Sequence, residues 1–122
     1  MPATEWRSYL NTGNHPEYPS GSSCFCAAYA QASRRYFGTD TFGWAVPVPA
    51  GSSVIEPGVT PATDITLGPW ATFTEFENEC SRSRVWGGVH FTAATVEGQA
   101  MCRPAGDLAF EFLQRHIQGT AQ

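Results

Sequence analysis

An all-α fold of about four helices, wrapped by one long ordered loop rich in proline and glycine, is what this sequence predicts. Three observations carry that expectation. From Ser22 to Phe37, the residues Phe25, Ala28, Tyr29, Ala32 and Tyr36 recur at helical spacing and form one stripe. Thr72-Phe73-Thr74-Glu75 has the spacing of a capping box, in which the first and last side chains satisfy each other's backbone donors. Pro104 fits the first turn of a last helix over 105–117.

Each element has its own boundary signals. The first helix takes Ser22 or Ser20 as N-cap and Gly38 as its stop. Arg34 and Arg35 in its last turn read as surface charges that complement the helix dipole. The second helix covers 72–80, ended by the polar run Ser81-Arg82-Ser83-Arg84. A third follows Trp86-Gly87-Gly88 and covers roughly 89–96. Residues 1–19 read as an extended lead-in anchored by Trp6, Tyr9 and Leu10. Residues 39–69 carry five prolines and four glycines, so they read as loop. Phe42, Trp44, Val46, Val54 and Ile55 within it look buried, and Val46, Val48, Val54 and Ile55 could pair as a short hairpin. Glu56-Pro57-Gly58 reads as a tight turn with a solvated carboxylate.

At 122 residues the chain is a single domain, and 42% hydrophobic residues suffice for a packed core. Net charge is -4 with no lysine at all, which excludes the basic surface a nucleic-acid binder needs. No apolar run reaches the roughly 18–20 residues of a membrane span. The N-terminus shows no signal-peptide pattern, and a soluble, secreted location stays open. Cys24, Cys26, Cys80 and Cys102 lack zinc spacing. They read as buried thiols with at most one disulfide, although two disulfides in any of three pairings remain open. Cys24 and Cys26 lie two apart on a helix, so their thiols point to different sides.

Two short stretches carry the chemistry. His15-Pro16-Glu17-Tyr18-Pro19-Ser20-Gly21-Ser22 offers a hydroxyl, a side-chain-free amide and the donor-rich start of a helix. Ser83-Arg84-Val85-Trp86-Gly87-Gly88-Val89-His90-Phe91 offers a planar charged fork and an imidazole. Either alone is an ordinary turn. Together they are a cradle for a tetrahedral oxyanion.

The pair, Pro-Ser-Gly-x and Ser-Arg-x5-His, resembles the second and third signature motifs of the vanadium-dependent haloperoxidase / type 2 phosphatidic acid phosphatase superfamily, and looks most like its haloperoxidase branch. The resemblance runs from about Trp6 to Gly98. It implies a helical bundle, here a partial one, and vanadate as cofactor. By this likeness Ser20 and Gly21 hold the oxyanion, Arg84 neutralises it, and His90 binds vanadium or attacks phosphorus. It also implies hydrogen peroxide and halide, or a phosphate ester, as substrates. The missing membrane span favours the soluble members.

Two departures stand out. Ser22 occupies the place of the family's acid–base histidine, and a serine hydroxyl cannot exchange protons near neutral pH. His15, seven residues upstream, is a conceivable substitute but reads as a lead-in residue. The family's first motif, a lysine and an Arg-Pro pair, is absent, because the one upstream arginine, Arg7, is followed by Ser8. The sequence therefore reads as a truncated domain, expected to oligomerise or to take its missing cations from a complementing chain. Three functions follow: a vanadate haloperoxidase, a phosphohistidine phosphatase, or a catalytically inactive binding module.

Overall fold

Ser20, not Ser22, opens the first helix. It is extended at φ -72°, ψ 112°, and its hydroxyl accepts the Ser23 N–H, so α1 spans Gly21–Phe37. The computed structural model describes residues 2–120; Met1, the start of the expected lead-in, lies outside them, as do residues 121–122. Among these residues the order is a 3-10 turn (Ala3–Glu5), α1, β1 (Thr41–Val48), β2 (Ile65–Thr72), α2 (Phe73–Trp86) and α3 (Thr92–Ile117).

The all-α expectation is therefore wrong: three helices stand with one two-stranded antiparallel sheet. Residues 39–69, expected to be a loop, contain β1 and the start of β2. Val46 and Val48 do form a strand, but their partners are Leu67 and Ile65 rather than Val54 and Ile55. Gly68 and Pro69 disguised β2. Proline is tolerated on an edge strand, and both strands of a two-stranded ribbon are edges. Gly68 sits at φ 79°, where an added Cβ would meet the Trp70 nitrogen at 2.7 Å. The base of the ribbon is held by aromatics: Phe42 stacks on Phe73 at 4.5 Å, and Trp70 meets Phe76 edge-on. Trp44 on β1 and Val54 and Ile55 in the connector are exposed, against expectation. The connector returns to the lead-in, where the Tyr9 hydroxyl donates to Glu56.

The helices also differ from expectation. The capping box at Thr72 forms as read, but α2 runs through the Ser-Arg-Ser-Arg run to Trp86. The two helices expected at 89–96 and 105–117 are one, with Pro104 inside it. A proline frees the carbonyl four residues back. Here that is Ala100, which like Pro104 is on the exposed side, where water can take the donor's place.

The stripe of α1 faces outward: Phe25 and Tyr36 are exposed, whereas Ser23, Cys26, Ala27 and Ala30 are buried. The reason is close packing. Ala94, Gly98, Cys102 and Gly106, one every fourth residue, form the buried ridge of α3. A Cβ on Gly98 would lie 2.5 Å from the Ser20 carbonyl oxygen, and one on Gly106 would lie 2.5 Å from that of Ala28. No aromatic fits between backbones this near.

Covalent and ionic ties then fix the three helices. Both disulfides form, Cys24–Cys102 to α3 and Cys26–Cys80 to α2, which replaces the thiol reading. The two neighbouring cysteines do point to different helices. With 78 and 54 residues between partners, each crosslink stabilises by about 4 kcal/mol on the chain-entropy estimate. Glu77 of α2 is fully buried, yet its carboxylate accepts from Arg34 of α1 at 2.9 Å and from Arg103 of α3 at 2.8 Å and 2.9 Å. Gln99 of α3 adds a longer bond at 3.3 Å. Arg34 is thus an internal ion-pair partner rather than a surface charge. On the outer side, Asp107 accepts from Gln31 and pairs with Arg35, which hold its carboxyl below the usual carboxylate range.

Replacing Glu77 with alanine leaves Arg103 without its anion and Arg34 with only the longer Asp40 contact at 3.4 Å. The expected loss is about 3 kcal/mol, the lower end for breaking a buried pair because Arg103 reaches solvent. A thermal melt should fall by about 10 °C. An unchanged midpoint would show that the disulfides alone hold the helices together.

Candidate oxyanion site

The site is built where the start of α1 meets the turn between α2 and α3. Ser20 is fully buried, and its N–H donates to the Ala94 carbonyl at 2.9 Å. Its hydroxyl accepts from the Ser23 amide at 3.3 Å and the Ser23 hydroxyl at 3.1 Å. Both contacts leave the Ser20 proton free to donate. Gly21 and Ser22 are the first residues of α1, so their N–H groups have no acceptor within the helix. A Cβ on Gly21 would meet no protein atom within 4 Å. Ser22 is partly buried in this first turn.

Arg84 lies in the last turn of α2. Its carbonyl accepts from both Val89 (3.1 Å) and His90 (3.3 Å), so the chain folds back and sets His90 beside Arg84 along the backbone. The Arg84 Nε is buried and has no hydrogen-bond partner among the described residues. Leaving such a donor unmade costs about 1–3 kcal/mol, and more for a charged group. A bound oxyanion would remove that cost.

His90 is buried. Its Nδ1 lies 2.6 Å from the Glu17 carbonyl oxygen, which can only accept. The network therefore assigns the proton to Nδ1 and leaves the Nε2 lone pair available. A cleft of about 490 Å³ opens over this imidazole, lined by Trp6, Thr12, Glu17 and Phe91 among others. His15 also reaches the site, its ring centre 5.2 Å from that of His90. The lead-in is pinned alongside by the Leu10 N–H on the Gly87 carbonyl. Ser20 and Arg84 line neither the cleft over His90 nor a larger one of about 680 Å³ between β2, α2 and α3, which lacks His90 as well.

Sequence reading missed Ser23 and Glu17. Ser23 is the third residue of its helix, where an N-cap hydroxyl is expected to find a partner, so that signal was present. The contact of Glu17 with His90 spans 73 residues and left no local signal.

The fold has known counterparts. The family model of the VCPO second helical-bundle domain matches residues 1–119. The chain belongs to this family. The holo-type crystal structure of a bacterial vanadium-dependent chloroperoxidase is 50% identical, with a TM-score of 0.90 over 94% of this chain and 24% of that one. The apo-type structure is also 50% identical, with a TM-score of 0.91 over 98% of this chain and 26% of that one. The chain thus spans about a quarter of the length of these relatives. No curated protein matches it. No helix among the described residues is long and apolar enough to cross a membrane.

The donor set fits an oxyanion better than a bare cation. No group of three or more His, Cys, Asp or Glu side chains converges among the described residues. The candidate donors are instead one imidazole, one buried guanidinium Nε, one hydroxyl and a helix start. The residues that would hold vanadate are His90, Ser20, Arg84 and the amides of Gly21 and Ser22. Cationic help from a lysine is not available, since the chain has none. Arg7 lies in the lead-in, with its guanidinium on the Trp6 carbonyl.

Orthovanadate at about a hundredfold excess over its Kd should stabilise the folded chain by about 2.7 kcal/mol in a thermal melt. Arg84→Ala should abolish that rise at the same concentration. An equal rise in the variant would place the anion elsewhere.

Proposed function

We propose that this chain carries the histidine half of a vanadate-dependent haloperoxidase site and serves to oxidise halide with hydrogen peroxide. The observation that carries the reading is the buried His90, whose Nδ1 faces the Glu17 carbonyl, together with a buried Arg84 Nε that lacks a partner among the described residues. Hydrogen peroxide, a halide ion and a proton give hypohalous acid and water. Bound vanadate supplies the Lewis acidity that activates peroxide toward halide.

The chain's own residues do the rest. The His90 Nε2 lone pair anchors the group. Ser20 and the first amides of α1 direct donors at its oxygens, and Arg84 neutralises part of its charge. Ser22 can donate or accept a hydrogen bond but cannot exchange a proton near neutral pH. His15, next to His90, is the side chain placed to do so. With Arg84 as the sole cation the charge is under-compensated, so the missing lysine and Arg-Pro groups are taken to come from outside these residues. That shortfall is also what favours the alternative of a binding module without catalysis.

The test is bromide oxidation with peroxide and orthovanadate, wild type against His90→Ala. The wild type should turn over, and the variant should fall to the background of free vanadate while keeping its melt. Phosphomonoester hydrolysis without peroxide, inhibited by vanadate, would favour the phosphatase instead. Equal behaviour of both proteins in both assays would leave the binding module.

A further inference from the structure

Glu17 touches two consecutive residues of the His90 motif in two different ways. Its main-chain carbonyl takes the His90 Nδ1 proton at 2.6 Å. Its Oε1 accepts the Phe91 N–H at 2.8 Å and lies 3.8 Å from His90 Nδ1. Phe91 is the N-cap of α3, and its side chain makes no capping hydrogen bond. Glu17 therefore supplies from a distant segment what the glutamate of a capping box supplies from within a helix: an acceptor for the N-cap amide. It also sets a carboxylate at the positive end of a 26-residue helix.

The carbonyl needs that side chain to stay in place. The lead-in is tied at Leu10 to Gly87 and at Ser20 to Ala94. Between those ties, the one main-chain hydrogen bond among the described residues is local, from His15 to Gly13. Nothing else in the backbone fixes the level of Glu17 against His90. We propose that Glu17 is a positioning residue, whose carboxylate clamps the lead-in to the start of α3 so that its carbonyl sets the tautomer and ring orientation of His90. The inference rests on His90 being the reactive imidazole, as proposed above. Glu17 itself touches no reacting atom; it acts through His90.

The test uses the 15N-labelled chain as wild type, Glu17→Gln and Glu17→Ala, with His90 resonances assigned against His90→Ala. In wild type, His90 should show a protonated Nδ1 and a lone pair on Nε2, and the Phe91 amide should exchange slowly. Glutamine keeps an acceptor oxygen and should preserve both signatures. Alanine should give mixed tautomers, a rapidly exchanging Phe91 amide, and orthovanadate binding weakened roughly ten- to a hundredfold, the usual scale for losing a group that orients a ligand. A Glu17→Ala protein with His90 still protonated at Nδ1 and Phe91 still protected would overturn the inference. So would a glutamine variant that loses both, and that comparison also decides the matter should the alanine variant not fold. If no variant binds orthovanadate but the spectra change as stated, the clamp stands and the oxyanion reading fails alone.

Discussion

One carboxylate ties the helices to each other. Glu77 is buried in α2, and it is tolerable there because α1 and α3 each send an arginine to it. Removed from water, a lone carboxylate would cost several kcal/mol. The two guanidinium groups supply the compensation and, by their reach, fix how α1 and α3 approach α2. The disulfides act on the same three helices through the unfolded state, by limiting what the unfolded chain can do.

Within that frame the site follows from packing. Small residues on α3 let the start of α1 come so near that the Ser20 carbonyl leaves no room for a Cβ on Gly98. The tightness that excluded aromatics from the interface thus brings the start of α1, with its free amides, against the first turns of α3, directly after His90. Structural and chemical demands meet at Ser20, which caps α1 and still has a proton to donate. The aromatic residues left outside the helix interface pack instead at the base of the ribbon or remain at the surface.

Candidate site residues were easier to name from the sequence than the fold was to read. Ser20, Gly21, Arg84 and His90 could be named because oxyanion chemistry demands specific residue types at short spacing. Helix limits were lost where a local signal was overruled: Pro104 reads as a start but sits within α3, where Ala100 faces water. The strand β2 was hidden by Gly68-Pro69, which a ribbon edge accepts. The stripe of α1 is periodic as read, but periodicity shows that a helix has two faces without saying which one a close-packed neighbour will take. Glu17 could not be found at all, since its role depends on a contact across the whole domain. The pairing of the cysteines was equally out of reach, although their divergence on α1 was not.

A crystal structure of the chain grown with orthovanadate tests the central claim most directly. The claim predicts an oxyanion at the start of α1, with His90 Nε2 on the metal and both the Arg84 Nε and the Ser20 hydroxyl on its oxygens. An anion bound elsewhere, or an Arg84 Nε still without a partner at saturating orthovanadate, would contradict it.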